Sequence, residues 1–206
     1  MHSTAIERRA FLRGACAAGL MLFGGMGARP ASADEAEPLY LSACRKPDGS
    51  FAAAMFRADT GLVRTVALPD RGHDICASPD GGMAIAFARR PGTFAVAFDL
   101  TRDAEPVLFH APAGRHFYGH GDFSPDGKLL FATENDYDNA RGVIGLYEVA
   151  SGFTRIGEID SYGVGPHEVI LMPDGKTLAI GNGGIETHPD AGRLKLNLAT
   201  MQANLA

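Results

Sequence analysis

Motifs that would assign a reaction are missing from this sequence. It contains no Cys-x-x-Cys-His haem-attachment motif, no His-Glu-x-x-His metalloprotease motif, no Gly-x-Ser-x-Gly nucleophile elbow and no Walker phosphate loop. No run of 18 or more apolar residues occurs, which excludes an ordinary membrane-spanning helix. Tryptophan is absent, and there are only three cysteines in 206 residues. The sequence therefore indicates its fold and compartment more directly than its chemistry.

Helical periodicity is also missing beyond the first 33 residues. No apolar pattern with a 3.6-residue repeat extends over ten or more residues. The 26 glycines and 12 prolines are typical of a chain that turns often. Because 46% of the residues are hydrophobic, the chain has enough apolar side chains for a globular core. Together these features predict an all-β domain.

The first 33 residues have the features of an export signal. The letters RRAFL at 8–12 precede a weakly apolar stretch at 14–27 and then ASA at 31–33. Paired arginines before Phe-Leu are similar to the twin-arginine motif, although Glu7 stands where Ser or Thr is commoner. The segment predicts twin-arginine export to the periplasm, with cleavage after Ala33 and a mature domain at 34–206. An ordinary secretory signal or a short anchor is the alternative.

The predicted mature domain is acidic. Cleavage removes four arginines and one glutamate, which leaves 15 basic and 23 acidic residues and a net charge near −8. Such a surface argues against nucleic acid as a partner. Two cysteines remain, Cys44 and Cys76. In an oxidising compartment they could form a disulfide, and two unpaired thiols on strands are the equal alternative.

The middle of the chain contains a repeat. His73, His120 and His167 stand 47 residues apart, and each begins a short β-prone run that ends in Pro-Asp-Gly, at 79–81, 125–127 and 173–175. Pro-Asp-Gly is a strong turn signal, since proline presets the first turn angle and glycine accepts a positive φ. The period is close to the 40–45 residues of a four-stranded propeller blade. The sequence therefore predicts a β-propeller whose units each contain four antiparallel strands, named A to D.

The strand count predicts an incomplete ring. The first unit supplies only strands B, C and D, the next two supply all four, and the last supplies A and B, which makes 13 strands. A closed propeller of four to eight blades needs at least 16. We expect the chain to be the amino-terminal part of a longer protein. The alternative is a small open arc of blades that is complete as written, which would leave long edge strands exposed. Beyond the three A strands, the predicted strands are 39–44, 51–56, 62–68, 83–88, 94–100, 107–109, 129–133, 143–149, 154–159 and 177–181.

Several segments resemble the bacterial family known as domain of unknown function 1513. They are GRHFYGHG at 114–121, SPDG at 124–127, TENDY at 133–137, GVGPHE at 163–168 and NGGIETHP at 182–189. The resemblance implies a twin-arginine-exported, propeller-like protein, encoded near periplasmic iron-uptake proteins of the imelysin type, which would be its partners. More loosely, PH at 166–167 with MPDG at 172–175 is similar to YVTN-type propellers, which implies seven blades in the full-length protein. That class includes lactonases and copper-enzyme domains, so the fold does not choose a function.

Polar residues are predicted to gather on one face. The D-to-A and B-to-C connections of a blade open on the same rim, and all six histidines of the mature domain fall on or near it. Besides the repeat histidines and their acidic neighbours, the predicted ligand rim contains His116, Tyr118, Asp122, Glu134, Asn135, Asp136, Arg141, Asn182, Glu186 and His188. The oxygen-rich loop at 134–139 suits calcium but lacks the ordered Asp-x-Asp-x-Asp-Gly pattern, so a solvated loop is the alternative.

The predicted metal ligands are His73, His120, His167 and Glu168. Imidazoles beside carboxylates suit a transition metal such as iron or copper, and the carboxylates would either bind the ion or orient the rings. Alternatively, the histidines hydrogen-bond neighbouring blades and close the channel mouth. Three functions follow: a periplasmic metal-related binding or accessory protein, a metal-dependent hydrolase or oxidoreductase, or a fragment inactive on its own.

Overall fold

A computed structural model describes residues 37–192 and 194–206 of the chain. The predicted signal peptide lies outside the described residues. Within this part, none of the helices has the length and apolar character needed to cross a membrane. The only helical elements there are two single turns of 3₁₀ helix, Tyr137–Asn139 and Pro189–Ala191. The predicted all-β class is therefore confirmed.

The described residues form fourteen strands in four antiparallel sheets. In chain order the strands are β1 (Tyr40–Arg45), β2 (Phe51–Arg57), β3 (Gly61–Leu68), β4 (Gly72–Ala77), β5 (Met83–Ala88), β6 (Phe94–Asp99), β7 (Val107–His110), β8 (Arg115–Phe123), β9 (Leu129–Asp136), β10 (Arg141–Glu148), β11 (Thr154–Asp160), β12 (Pro166–Leu171), β13 (Leu178–Asn182) and β14 (Asn204–Leu205). The sheets are β1–β3, β4–β7, β8–β11 and β12–β14, and strands adjacent in sequence are adjacent in each sheet. The described sheets do not close a ring.

Successive sheets stack as propeller blades do, with their innermost strands side by side. β4 packs against β8, and β8 packs against β12. In the second sheet, β5 is the second strand of its blade and packs against β8 of the next blade. β1 packs against β4 in the same way, so β1 also takes the place of a second strand. The first sheet therefore corresponds to strands B, C and D of a blade, as its sequence predicts.

The predicted strand count is corrected at the last sheet. Asn204 and Leu205 pair with Asn182 and Gly181 of β13, so the fourth unit has three strands instead of two. Backbone hydrogen bonds of 2.8 and 3.0 Å between Ile180 and Ala206 extend this pairing. A two-residue strand is too short to show an alternating pattern, which is why the sequence does not reveal it.

The core lies between the blades, and complementary side-chain sizes fill it. In the second blade, Ile85 pairs with Ala97 and Ala86 pairs with Val96, so a small residue stands beside each large one on both faces. Ile85 packs toward the third blade, whereas Val96 packs toward the first. β5 and β6 are buried on both faces, because each is covered by a neighbouring sheet.

The Pro-Asp-Gly segments form the predicted turns. Gly81, Gly127 and Gly175 have φ of 69°, 67° and 65°, a conformation that glycine adopts at little cost. The preceding aspartates accept backbone N–H groups two residues further on, as Asp80 does from Gly82 at 2.9 Å. Of the two alternatives for the cysteines, the structure has the unpaired one: Cys44 and Cys76 are free thiols.

Candidate functional site

Three histidines from three successive blades meet at the inner strands. One ligand nitrogen from each of His73, His120 and His167 lies within 4.8 Å of the other two. The ring centroids are 4.9 Å apart for His73 and His120, 4.8 Å for His120 and His167, and 5.8 Å for His73 and His167. The 47-residue repeat thus brings its histidines together across two blade boundaries. We refer to these three residues as the histidine cluster.

Each member of the cluster lies in an irregularity of its inner strand. The β4–β5 register shifts between Gly72 and Ile75, around His73, and the β12–β13 register shifts at His167. In β8, residues 118–120 all lie opposite a single residue of β9, Thr133. The Thr133 hydroxyl donates to the His120 carbonyl at 3.0 Å and replaces a missing ladder contact. Such bulges redirect side chains, and here they turn three imidazoles away from the regular alternation.

Glycine beside His120 allows the inner strands to approach one another. Gly119 has φ of 108°, and a Cβ at this position would lie 2.5 Å from Cδ2 of His73. A Cβ on Gly121 would lie 2.5 Å from Cζ of Phe87. Any side chain at either position would therefore push β8 away from the second blade, which would separate His73 from His120.

Two carboxylates flank the central histidine. Nδ1 of His120 lies 3.2 Å from an oxygen of Asp74 and 3.2 Å from an oxygen of Glu168. Burial opposes the charged imidazole, but the two carboxylates outweigh it and raise the pKa of His120. Nε2 of His120 is buried without a hydrogen-bond partner, whereas Nδ1 has the two carboxylates as neighbours. Buried polar atoms of this kind are uncommon and call for a partner such as an ion.

The two outer histidines are biased toward the neutral form. Burial, helped by the nearby His120 and His167, lowers the pKa of His73 to about 4. Burial and His120 also lower the pKa of His167, against the opposing effect of Glu168. Neutral imidazoles have a free nitrogen electron pair, which is the form that binds metal ions.

Basic residues, in contrast to the carboxylates beside His120, line a cavity next to the other two histidines. A cavity of about 90 Å³ is lined by His73, Arg89, Arg90, Tyr118 and His167. The cluster therefore has carboxylates next to His120 and arginines next to His73 and His167.

Several residues of the predicted rim lie instead inside the third blade, in a group of three arginines and three carboxylates. Glu134 is fully buried, and its carboxylate accepts from Nη2 of Arg155 at 2.9 Å and from the Tyr147 hydroxyl. Asp136 lies 2.8 Å from Arg115 and 3.2 Å from Arg141. We call this group the charge network; its members are Arg115, Glu134, Asp136, Arg141, Arg155 and Glu158. Their side chains bind one another.

The charge network predicts a loss of stability in acid. Burial opposes ionisation of Glu158, but hydrogen bonds from Arg155, Arg141 and Arg115 outweigh it and lower its pKa from 4.5 to about 2. A lowered pKa stabilises the fold above the unfolded value, and this stabilisation is lost as pH falls from about 4.5 toward 2. We expect the urea midpoint to fall across that window, and to fall less in Glu158→Gln. Equal pH profiles for both proteins would contradict the assignment.

Other residues of the predicted rim hold loops and strands in place. His116 is fully buried: Nδ1 lies 2.9 Å from the Phe117 carbonyl, and Nε2 lies 3.0 Å from the amide nitrogen of Asn135. Asp122 accepts from the Leu171 backbone at 2.8 Å and so joins β8 to β12. Asn182 donates to the Ser161 carbonyl at 2.7 Å. These three side chains therefore stabilise the fold through hydrogen bonds with other parts of the protein.

The loop after β13 contains the remaining rim residues. His188 lies 3.6 Å from a carboxylate oxygen of Asp138, and its ring stands edge-on to Tyr137. Glu186 is half-buried, and its backbone N–H donates to Asn197 at 2.7 Å. Neither residue belongs to the histidine cluster. The structure thus brings His73, His120, His167 and Glu168 together, with Tyr118 at the adjoining cavity, and separates them from most of the predicted rim.

The family comparison agrees with the resemblance seen in the sequence. The sequence model of the family described as "Protein of unknown function (DUF1513)" matches residues 66–206, about two thirds of the chain. The chain belongs to this family. The match begins within β3 and includes every member of the histidine cluster. No functionally curated protein matches the sequence.

Solved structures similar to this family member confirm the propeller fold. A "putative 6-phosphogluconolactonase" from Bacteroides uniformis is 20% identical with a TM-score of 0.51, over 89% of this chain and 58% of that one. Its counterpart from Bacteroides fragilis is 17% identical with a TM-score of 0.51, over 87% and 61%. Hydrazine synthase of Kuenenia stuttgartiensis is 18% identical with a TM-score of 0.52, over 68% and 41%. At these identities the likeness concerns the fold alone, and the chain spans about half the length of these structures.

Proposed function

We propose that this protein binds a transition-metal ion at the histidine cluster and acts in the periplasm as a metal-related binding or accessory protein. The convergence of His73, His120 and His167 within 4.8 Å carries the proposal. Three nitrogens bound to one ion at about 2.0–2.1 Å stand roughly 3.4 Å apart, so modest ring rotations would bring them to that spacing. The buried Nε2 of His120, which has no hydrogen-bond partner, supplies independent support.

The donor set narrows the range of ions. Imidazole suits zinc, copper, iron and nickel, whereas calcium and magnesium prefer oxygen ligands. With Nδ1 of His120 facing Asp74 and Glu168, Nε2 is the nitrogen available to an ion. The carboxylates then act as orienting groups that fix the ring. Iron or copper remains our proposal for the ion, with iron favoured by the family resemblance to proteins encoded near imelysin-type partners.

An enzyme is the second candidate, because three protein ligands leave coordination positions for water or substrate. Sites of this kind lower the pKa of a bound water and make it a nucleophile. In that case Glu168 and Asp74 stand near enough to His120 to take part in proton transfer. Lactone hydrolysis that disappears in His120→Ala and His167→Ala would support a hydrolase. Metal retention without turnover would support a binding protein.

The test of the binding function is the metal content of protein exported by its own signal. We expect close to one transition-metal ion per chain after purification from the periplasm. The pair Arg8→Lys and Arg9→Lys is expected to abolish export if the signal is of the twin-arginine type. Folded protein that stays metal-free after incubation with iron and copper would overturn the proposed function.

A further inference from the structure

The cavity beside the histidine cluster is basic, although the whole chain has a formal net charge of −5. Its five lining residues are His73, Arg89, Arg90, Tyr118 and His167, and none is a carboxylate. Two of them belong to the proposed metal site, so any molecule in the cavity lies against both a guanidinium group and the metal ligands. A volume of about 90 Å³ corresponds to roughly three water molecules.

Arg90 is held at the cavity by an aromatic ring. Its guanidinium carbon lies 5.8 Å from the centroid of Tyr118, a distance at which the ring attracts a cation. Tyr118 is itself fixed, because its hydroxyl donates to the Ile185 carbonyl at 3.0 Å. The Arg90 side chain therefore packs against a fixed ring, and its backbone lies two residues beyond the end of β5.

The charge of Arg90 is not neutralised by an acidic neighbour. Among residues 37–192 and 194–206, no carboxylate lies within 4.0 Å of its guanidinium nitrogens, whereas each arginine of the charge network has at least one such partner. A half-buried guanidinium without an anion retains its capacity for paired hydrogen bonds. The carboxylates of Asp74 and Glu168 lie beside His120, so they disfavour an anion on that side.

Resting on the metal site proposed above, we infer that this cavity binds the carboxylate of a small anionic ligand that also reaches the metal position. The planar carboxylate matches the fork of Arg90, and a cavity of about 90 Å³ has room for such a group. Arg90 is thus the residue that selects an anionic ligand, and the histidine cluster holds the ion beside it. The class of ligand is a carboxylate-bearing metal chelator or substrate.

The experiment uses purified protein loaded with cobalt(II), whose visible spectrum reports changes in its ligands. Metal binding is measured first, without carboxylate, and acetate is then titrated into the loaded protein. We expect acetate to change the spectrum of the wild type. In Arg90→Gln we expect at least a tenfold weaker acetate affinity, with cobalt affinity within about threefold of the wild type. Arg90→Lys should give an intermediate loss, and Arg102→Gln, at an exposed arginine, should give none.

The outcomes separate the two proposals. If cobalt binds but acetate does not change its spectrum, the carboxylate site is overturned and the metal site stays intact. The same conclusion follows if Arg90→Gln responds to acetate as the wild type does. A stronger response to phosphate than to acetate would overturn the choice of carboxylate. Failure of cobalt to bind would overturn the metal site and, with it, the shared ligand. Circular dichroism establishes that each variant is folded before its titration.

Discussion

Replacing His120 with alanine is expected to weaken transition-metal binding by at least roughly 100-fold. Loss of a group that only orients a metal ligand costs about 10–100-fold in affinity, and His120 is proposed as a ligand itself, at the centre of the cluster. The substitution also removes the neighbour that Asp74 and Glu168 share at 3.2 Å, so circular dichroism establishes first that the variant is folded. Isothermal titration with zinc or copper measures the change.

Two further variants make this result specific. His167 is exposed, so His167→Ala should fold normally and should lose affinity to a similar extent. His110 lies at the end of β7, outside the cluster, with Thr93 as its neighbour at 3.4 Å; His110→Ala should bind metal as the wild type does. Equal affinity in all three variants would contradict metal binding at the histidine cluster.

Replacing Arg155 with methionine is expected to lower the free energy of unfolding by about 3–5 kcal/mol, the usual cost of breaking a buried ion pair. The guanidinium is the main counter-charge for Glu134, which is fully buried. Gly145 leaves no spare room around this carboxylate, because a Cβ there would lie 2.1 Å from its oxygen. Without Arg155, Glu134 must either stay charged without a partner or take up a proton. Urea denaturation measures the loss.

A double variant and a surface control test the cause. Glu134→Gln combined with Arg155→Met removes the unpaired charge and keeps an acceptor for the Tyr147 hydroxyl, so part of the stability should return. Arg102 pairs with Asp99 at 2.7 Å, but its side chain is 78% exposed; Arg102→Met should cost less than about 1 kcal/mol. A similar loss for Arg102→Met and Arg155→Met would contradict the role given to the charge network.

The strands could be predicted because their signals are local. Pro-Asp-Gly fixes the A-to-B turns, and each turn is followed by a short run of β-prone residues. β9 shows the limit of that reasoning: the sequence predicts a strand to Thr133, whereas the strand continues to Asp136. Glu, Asn and Asp are poor strand formers, but arginines from β8, β10 and β11 pair with the charges of Glu134 and Asp136. Glu134 and Asp136 lie on the same face of β9 as Leu130 and Ala132. This two-residue period is the feature of the sequence that could have indicated the longer strand.

The convergence of the histidines could not be predicted from spacing. A regular strand would direct His73, His120 and His167 by simple alternation, but all three lie at register shifts. A bulge depends on how its partner strand is placed, as with Thr133 opposite residues 118–120, and this is not a local property. For the same reason the sequence does not show that Arg90 meets Tyr118 at the cavity.

The most direct measurement is the extended X-ray absorption fine structure of a metal bound to the purified protein, which reports the number of ligand atoms and their distances from the ion. The proposed site predicts three imidazole nitrogens at about 2.0–2.1 Å from the ion, and two in His73→Ala. An ion surrounded by oxygen alone, or the same ligand count in wild type and His73→Ala, would contradict a metal site at the histidine cluster.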